Sequence, residues 1–577
     1  MHREDKRMDR SPARHPGRDG RSERSLSSTV AGVAAITLIL IALLLPDAVE
    51  RITPYAFLRV PLEAALLVLL LALAADRIRL LLAAIAGLTI GATAILSIAD
   101  MGARTAFARP FDPVLDWHIL PSALNLLTGT LGPAGAYAAV ALAVLAVAAI
   151  LGLALWATLR LARIVGRHRR PAALGALATA AAWSLLSFAD VRLAPGQPLA
   201  SADASRLVVD RIARARVSLA DLDTFREVAA IDAFDDVPAD RLLAGLAGKD
   251  VLLVFVESYG RDALENPLFA SEVTTVLRDG DARLAAAGID VRSAFLDSPT
   301  VGGQSWLAHG TVLSGLWIGN QQRYDSLIAS DRFTLVDAFD KAGWRTVAVM
   351  PAITMPWPEG TTFGYETIYA AADLGYRGRP FDWVTMPDQY TLATLHARER
   401  KPGPRRPLMA EIALISSHAP WTPLPDMVPW TAVGDGTVFD PMTLRGDPPD
   451  VVWRDTARVR TQYRLSIEYA LTNLISYAET FGGEDLVMII LGDHQPAPLV
   501  TGEGATRDVP VHILASDPAV LNRIADWGFA PTLLPPPDAP VWRMDALRDR
   551  LLTAFGADYV AASPSTNHPA VPAEAAD

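Results

Sequence analysis

Five long apolar runs fill the first third of the chain, at about 26–45, 57–75, 80–99, 134–159 and 171–188. Each reaches or approaches the about 20 residues that a helix needs to cross a bilayer. A large soluble helical core would also absorb such runs, but the placement of Arg argues for membrane spans. Arg77 and Arg79 follow the second run; Arg160, Arg163, Arg167, Arg169 and Arg170 follow the fourth; a tail at 1–25 with more Arg and Lys than Asp and Glu precedes the first. If the first span runs outward, all three basic stretches fall on the cytoplasmic side, as the positive-inside rule requires. Five spans then place everything after residue 190 outside. The tail is too polar to bury a core and is expected to be disordered. The first span is not a cleaved signal, because several more follow it.

The remainder sorts by rhythm. The connection 100–133 carries Asp112, Asp116, Trp117 and His118, then the apolar stretch 119–127. It reads either as an amphipathic segment on the outer leaflet or as a packing elbow. Residues 191–248 open with Pro195-Gly196 and read as a helical linker. From 249 to 556 short apolar strands alternate with helical patterns. Strands are expected at 251–256, 291–296, 346–350, 409–415, 486–491 and 511–514. Helices are expected at 272–287, 305–314, 334–342, 389–399 and 461–480. That alternation implies an α/β domain with a mostly parallel central sheet covered on both faces. Residues 557–577, rich in Pro and Ala, read as a disordered tail. There is no internal repeat.

Composition excludes some chemistry. The chain has 577 residues, 51% of them hydrophobic, and a mean hydropathy of +0.24; the excess lies in the five runs. It has no Cys, which removes disulfides and thiolate metal sites. A formal net charge of −11 with no basic stripe argues against nucleic acid as a partner.

Candidate chemistry gathers at strand ends. The stretch 486–496 reads LVMIILGDHQP: a solid apolar run, then Gly492, then Asp493 and His494. A run apolar on both faces is a buried parallel strand, and ligands bind beyond the carboxyl ends of such strands. The strand 251–256 ends in the same way, in Glu257-Ser258. Glu257, Asp493 and His494 together would offer a metal two carboxylates and one imidazole. Such a hard, mostly oxygen set suits Mn²⁺ or Mg²⁺ and admits Zn²⁺. The third element, DSPTVGGQSWLAHGTVLSG at 297–315, is a strand, a Gly-Gly loop and a helix starting near Ser305. Ser305 is either a plain helix N-cap or a hydroxyl nucleophile at a helix N-terminus that favours anions. Thr300 is the alternative hydroxyl, with a turn residue as its ordinary role.

With these motifs on the page, 251–556 resembles the alkaline phosphatase/sulfatase superfamily. Sulfatases carry C/S-x-P-S-R, running on to a Thr-Gly; Ser305 is followed at the same spacing by Ser314-Gly315, but Ala308 and His309 replace the pattern's Ser and Arg. With no Cys the formylglycine of true sulfatases is not implied. The whole chain is more similar to the membrane-anchored branch: lipoteichoic acid synthases, phosphoglycerol transferases and phosphoethanolamine transferases. That resemblance implies a bacterial cytoplasmic-membrane enzyme with five transmembrane helices and an extracytoplasmic, sulfatase-like domain. It implies one divalent metal held by Glu257, Ser305, Asp493 and His494, with Ser305 in place of the branch's Thr. It makes Ser305 and His418, in LISSHAPW, the catalytic pair, with His418 on the phosphate or head group. Trp357, in MPWPEG, and His309 are further candidates for contacting substrate; Glu359 stands where the branch has an Arg. The implied reaction moves a phosphoglycerol-type group from a membrane phospholipid to a glycan or lipid acceptor. Phosphoethanolamine transfer, hydrolysis of a sulfate or phosphate ester, and a non-catalytic relative remain the alternatives. Arg261, Arg323, Asp388 and Tyr390 could each meet a phosphate or head group, against ordinary structural roles.

Overall fold

The computed structural model describes residues 19–113, 116, 119–194, 197–401, 403–502 and 504–557. The expectations for Trp117, His118, Pro195, Gly196 and most of both tails lie outside them. The chain divides into two compact units, 1–101 with 134–214 and 102–133 with 215–577.

Among the described residues three helices are long and apolar enough to cross a membrane: Asp76–Phe107, Gly132–Arg167 and Arg169–Phe188. The other two expected spans form shorter apolar helices, Ser28–Leu43 and Leu62–Leu73. Proline explains the shortening of the second. Pro54 opens a 3₁₀ turn over Pro54–Leu58, and Pro61 caps the helix that follows, because a ring nitrogen cannot continue the amide ladder. The guanidinium of Arg79 is buried and donates to the carbonyls of Leu71 and Ala74 at 2.7 Å each. It thereby satisfies carbonyls that the helix end leaves orphaned. Ala35, Ile39, Leu71, Ala83, Ala157 and Leu161 form the shared core. A Cβ on Gly87 would fall 2.8 Å from the Leu155 Cα, so two helices meet backbone to backbone where the side chain is absent.

The second unit is built on an eight-stranded sheet: β1 Asp250–Val256, β2 Asp290–Asp297, β3 Arg345–Met350, β4 Thr367–Ala370, β5 Leu408–Leu414, β6 Leu486–Gly492, β7 Asp508–Ala515 and β8 Val541–Arg543. Their order is β8-β2-β7-β6-β1-β5-β3-β4. All neighbours are parallel except those of β7, which runs antiparallel to both β6 and β2. The expected helix 305–314 is found as Ser305–Ser314 and the expected 461–480 as Thr456–Phe481.

Strand periodicity divides the interior into two cores. Leu252, Val254 and Val256 of β1 face one core, with Val273 and Leu277 of the helix Ala270–Ala286 and Ile467, Leu471 and Leu474 of Thr456–Phe481. Val251, Leu253 and Phe255 face the other, with Leu307 and Val312 of the helix Ser305–Ser314. Successive side chains point to opposite faces, so a strand buried on both sides must be apolar throughout. Each fully buried aliphatic side chain contributes roughly 1.5–3 kcal/mol of transfer free energy.

A constellation of carboxylates, imidazole and hydroxyl at the strand ends

Register brings the site together. β1 and β6 are parallel neighbours paired from Asp250↔Leu486 to Val256↔Gly492. The next residues, Glu257 and Asp493, therefore leave the sheet side by side. Only glycine fits at 492, because a Cβ there would sit 1.9 Å from the Tyr259 carbonyl oxygen. Ser258 adopts a left-handed φ of 57°, and its N–H donates to Asp493 Oδ1 at 2.8 Å. The His494 N–H donates to the same oxygen at 2.7 Å. Two serines brace the ends from the loops after other strands: Ser417 Oγ, after β5, donates to the Glu257 carbonyl at 2.6 Å, and Ser298 Oγ, after β2, to the Asp493 carbonyl at 2.5 Å.

Ser305 enters from the other face. Gln304, at φ 64°, occupies the N-cap and makes no side-chain cap bond, so Ser305 is the first helical residue rather than the cap. Its hydroxyl donates to Glu257 Oε2 at 2.9 Å and lies 3.3 Å from His494 Nε2. His494 Nε2 is 3.2 Å from Glu257 Oε1 and 3.7 Å from Asp493 Oδ2. The ring is oriented by its other nitrogen, since Nδ1 donates to the Gln495 carbonyl at 2.8 Å. That bond puts the lone pair of the neutral ring on Nε2, facing the carboxylates.

These groups fit a divalent cation. One ligand atom each from Glu257, Asp493 and His494 can be chosen so that all lie within 4.8 Å of one another, and all three residues are buried. Among the described residues no Lys or Arg pairs with either carboxylate. Burial, and then the Glu257 charge, push Asp493 up to about 7. Burial would lower His494, but Asp493 and Glu257 outweigh it and raise the ring to about 9. Burial would also raise Glu257, yet the rings of His494 and His418 hold it well below the usual carboxylate range. Two buried carboxylates draw positive charge onto the imidazole between them, which is the demand a metal ion would meet.

His418 stands beside this group on the loop after β5. Its Nδ1 donates to the Ala419 carbonyl at 2.5 Å, and its ring stacks on Trp383 with centroids 3.9 Å apart. Trp383 is part-buried, and nothing in the sequence distinguishes it from the other aromatic residues. The loop is fixed by Asp388, whose Oδ1 accepts the N–H groups of Ile415 and Ser416 at 2.9 Å each. Burial raises Asp388 to about 6 from 3.8. A carboxyl raised on folding holds its proton better in the native state, so its contribution to stability is greatest below about pH 4 and is lost as pH rises through about 6. Asn keeps the accepting oxygen and removes the charge. Asp388→Asn is therefore expected to gain about 2–3 kcal/mol relative to wild type between pH 4 and pH 8, read as the change in melting temperature of the two proteins at each pH.

Other sequence candidates fall elsewhere. The Thr300 hydroxyl donates to the Gly303 carbonyl at 2.7 Å and shapes the loop. Arg261 pairs with Asp508 and Glu265, and Arg323 with Asp221. The Tyr390 hydroxyl is buried on the Leu374 carbonyl. Trp357 packs near Phe363, centroids 6.3 Å apart, against the core that also buries the helix Ser305–Ser314. His309 lies one turn beyond Ser305, stacked on Phe255 at 3.8 Å, with Nδ1 2.6 Å from Glu411 Oε1. The Tyr365 hydroxyl holds the second Glu411 oxygen. His309 thus has the partners of a packed histidine.

The strand ends thus gather one hydroxyl, two carboxylates and one imidazole within reach of one another. No family model matches the chain, and no curated protein matches it. Among solved structures, it is similar to the lipoteichoic acid synthase LtaP from Listeria monocytogenes, at 13% identity and a TM-score of 0.33, covering 51% of this chain and 70% of that one. It is similar to the Streptococcus pyogenes phosphoglycerol transferase GacH, at 11% identity and a TM-score of 0.33, covering 58% and 90%. It is also similar to the C-terminal periplasmic domain of EptC from Escherichia coli in complex with Zn, at 13% identity and a TM-score of 0.31, covering 48% and 74%.

Proposed function

We propose that the chain is a membrane-anchored, metal-dependent enzyme that transfers a phosphoglycerol-type group from a phospholipid to a glycan or lipid acceptor outside the cytoplasmic membrane. The observation that carries this reading is the Ser305 hydroxyl, on the first turn of a helix, 2.9 Å from Glu257 and 3.3 Å from His494. Glu257, Asp493, His494 and Ser305 would hold the ion, Mn²⁺ or Mg²⁺ in preference to Zn²⁺ for so oxygen-rich a set. When bound, the ion supplies positive charge that lowers the pKa of the hydroxyl and offsets charge on the phosphoryl oxygens.

The residues divide the work. Ser305 Oγ gives its proton toward Glu257 and attacks phosphorus; the Oγ–P bond forms as the bond to the diacylglycerol oxygen breaks. The first N–H groups of the helix Ser305–Ser314 point at the anionic centre that results. His418 has Nδ1 committed to a carbonyl, so its Nε2 is the nitrogen available to orient the phosphate or return a proton to the leaving oxygen. The acceptor hydroxyl then gives its proton to His418 and attacks the same phosphorus; its O–P bond forms as the Oγ–P bond breaks, and Ser305 Oγ recovers its proton from Glu257. Anchoring by the apolar helices keeps this chemistry beside a lipid donor, with the basic stretches inside and the site outside.

Mass spectrometry of the protein quenched during turnover of a phosphatidylglycerol vesicle is expected to find Ser305 heavier by one glycerophosphoryl group. A phosphoethanolamine or bare phosphate adduct would change the substrate assignment, and an unmodified Ser305 under turnover would overturn the mechanism.

A further inference from the structure

The loop that carries the nucleophile is pressed against Ala106 and Phe107, the last residues of the helix Asp76–Phe107. A Cβ on Gly302, at φ 74°, would fall 1.8 Å from the Ala106 carbonyl oxygen, and one on Gly303 would lie 3.6 Å from the Phe107 ring. On the same loop the Gly302 N–H donates to the Gln495 carbonyl at 2.8 Å, directly after the His494 ligand. Arg109 then reaches the residue before the nucleophile: its Nη2 is 3.4 Å from Gln304 Oε1. Gln304 is itself nearly buried and left-handed.

Arg109 is held there by design of its neighbours. Asp116, with a side chain only 3% exposed, takes both Nη groups, at 2.9 and 2.6 Å. Asp116 is fixed in turn by the Asp112 N–H at 2.8 Å. The guanidinium lies over Phe107, 5.7 Å from its centroid. Its side chain remains 29% exposed, and its contacts to Gln304 and the Pro110 carbonyl, both 3.4 Å, are long for charged donors. An oriented, part-exposed guanidinium with two weakly used donors is suited to oxyanions.

We propose that Arg109 is the anion-binding arginine of this site: it receives a phosphoryl oxygen of the substrate at Ser305 in place of its long contact to Gln304, with Asp116 as its positioning residue. The inference rests on the reading of Ser305 as the nucleophile. It makes Phe107 and Arg109 part of the wall of the active site.

The test uses the full chain in detergent with Mn²⁺, and two probes: turnover of bis(p-nitrophenyl) phosphate, and calorimetric binding of inorganic phosphate to Ser305→Ala protein. Arg109→Met is expected to raise KM about tenfold or more, with kcat changed less than about threefold, and to weaken phosphate binding to a similar degree. Arg109→Lys, which keeps the charge, is expected to recover part of both, with melting temperatures showing that each variant is folded. Unchanged phosphate affinity in folded Arg109→Met, or a fall in kcat alone, overturns the anion-binding role. A wild-type protein that neither binds phosphate nor cleaves the diester overturns the parent reading, and this inference with it.

Discussion

Ser305→Ala is expected to abolish turnover, by about 10⁴-fold or more in kcat, and to leave the fold intact. The change deletes one hydroxyl, part-buried and bonded to Glu257 and His494. A single hydrogen bond of this kind is worth about 1 kcal/mol net, which would move the melting temperature by a few degrees at most. The helix does not depend on Ser305 for its cap, since Gln304 holds that position. Activity of the purified variant and its melting curve decide the matter together. Full activity would move the nucleophile elsewhere; Thr300 is poorly placed to inherit the role, because its hydroxyl is bound to the Gly303 carbonyl.

The second large effect is expected on metal content. Elemental analysis of the full chain should find one divalent ion per molecule, lost in Asp493→Asn. Asn retains an oxygen for the Ser258 and His494 N–H groups, which both bond Oδ1. The backbone around the site is thus preserved while one of two buried negative charges is removed. A ligand lost outright should cost more than the about 10–100-fold that loss of an outer-shell partner costs. Added Mn²⁺ should raise the melting temperature of wild type and not that of the variant, because only a native state that binds the ion is stabilised by it. An active wild-type domain free of metal would sink the proposed chemistry.

Much of this could be read from the chain before any coordinates. The stretch 486–492 announces itself because every side chain is buried, and a strand between two cores must then be apolar throughout. Strand direction leaves no such trace: β7 is buried almost throughout, as β6 is, yet runs antiparallel to both of its neighbours. The edge strands β4 and β8 were not legible, being four and three residues long and part-exposed. The first two apolar runs looked as long as the others, but prolines at 54 and 61 cut the second to a helix of 12 residues. At the site, Glu257, Asp493, His494 and Ser305 were legible because each ends or begins an apolar element. Arg109 was not, since nothing local ties it to a loop nearly two hundred positions away. The same holds for Ser298 and Ser417, whose hydroxyls tie down the backbone of Asp493 and Glu257 from the loops after other strands. Their spacing in the sequence is that of ordinary turn residues.

The residue-for-residue pairing of β1 with β6 has a further consequence. Neither strand can change length. One residue inserted in β1 would exchange its two faces, turning Val256 toward the wrong core and drawing Glu257 out of line with Asp493. The rest of the sheet could still be paired, so the protein would resemble a folded one while its two carboxylates no longer met. Variation that preserves the centre is therefore confined to loops and outer helices, and the span from Asp250 to Glu257 behaves as a fixed ruler.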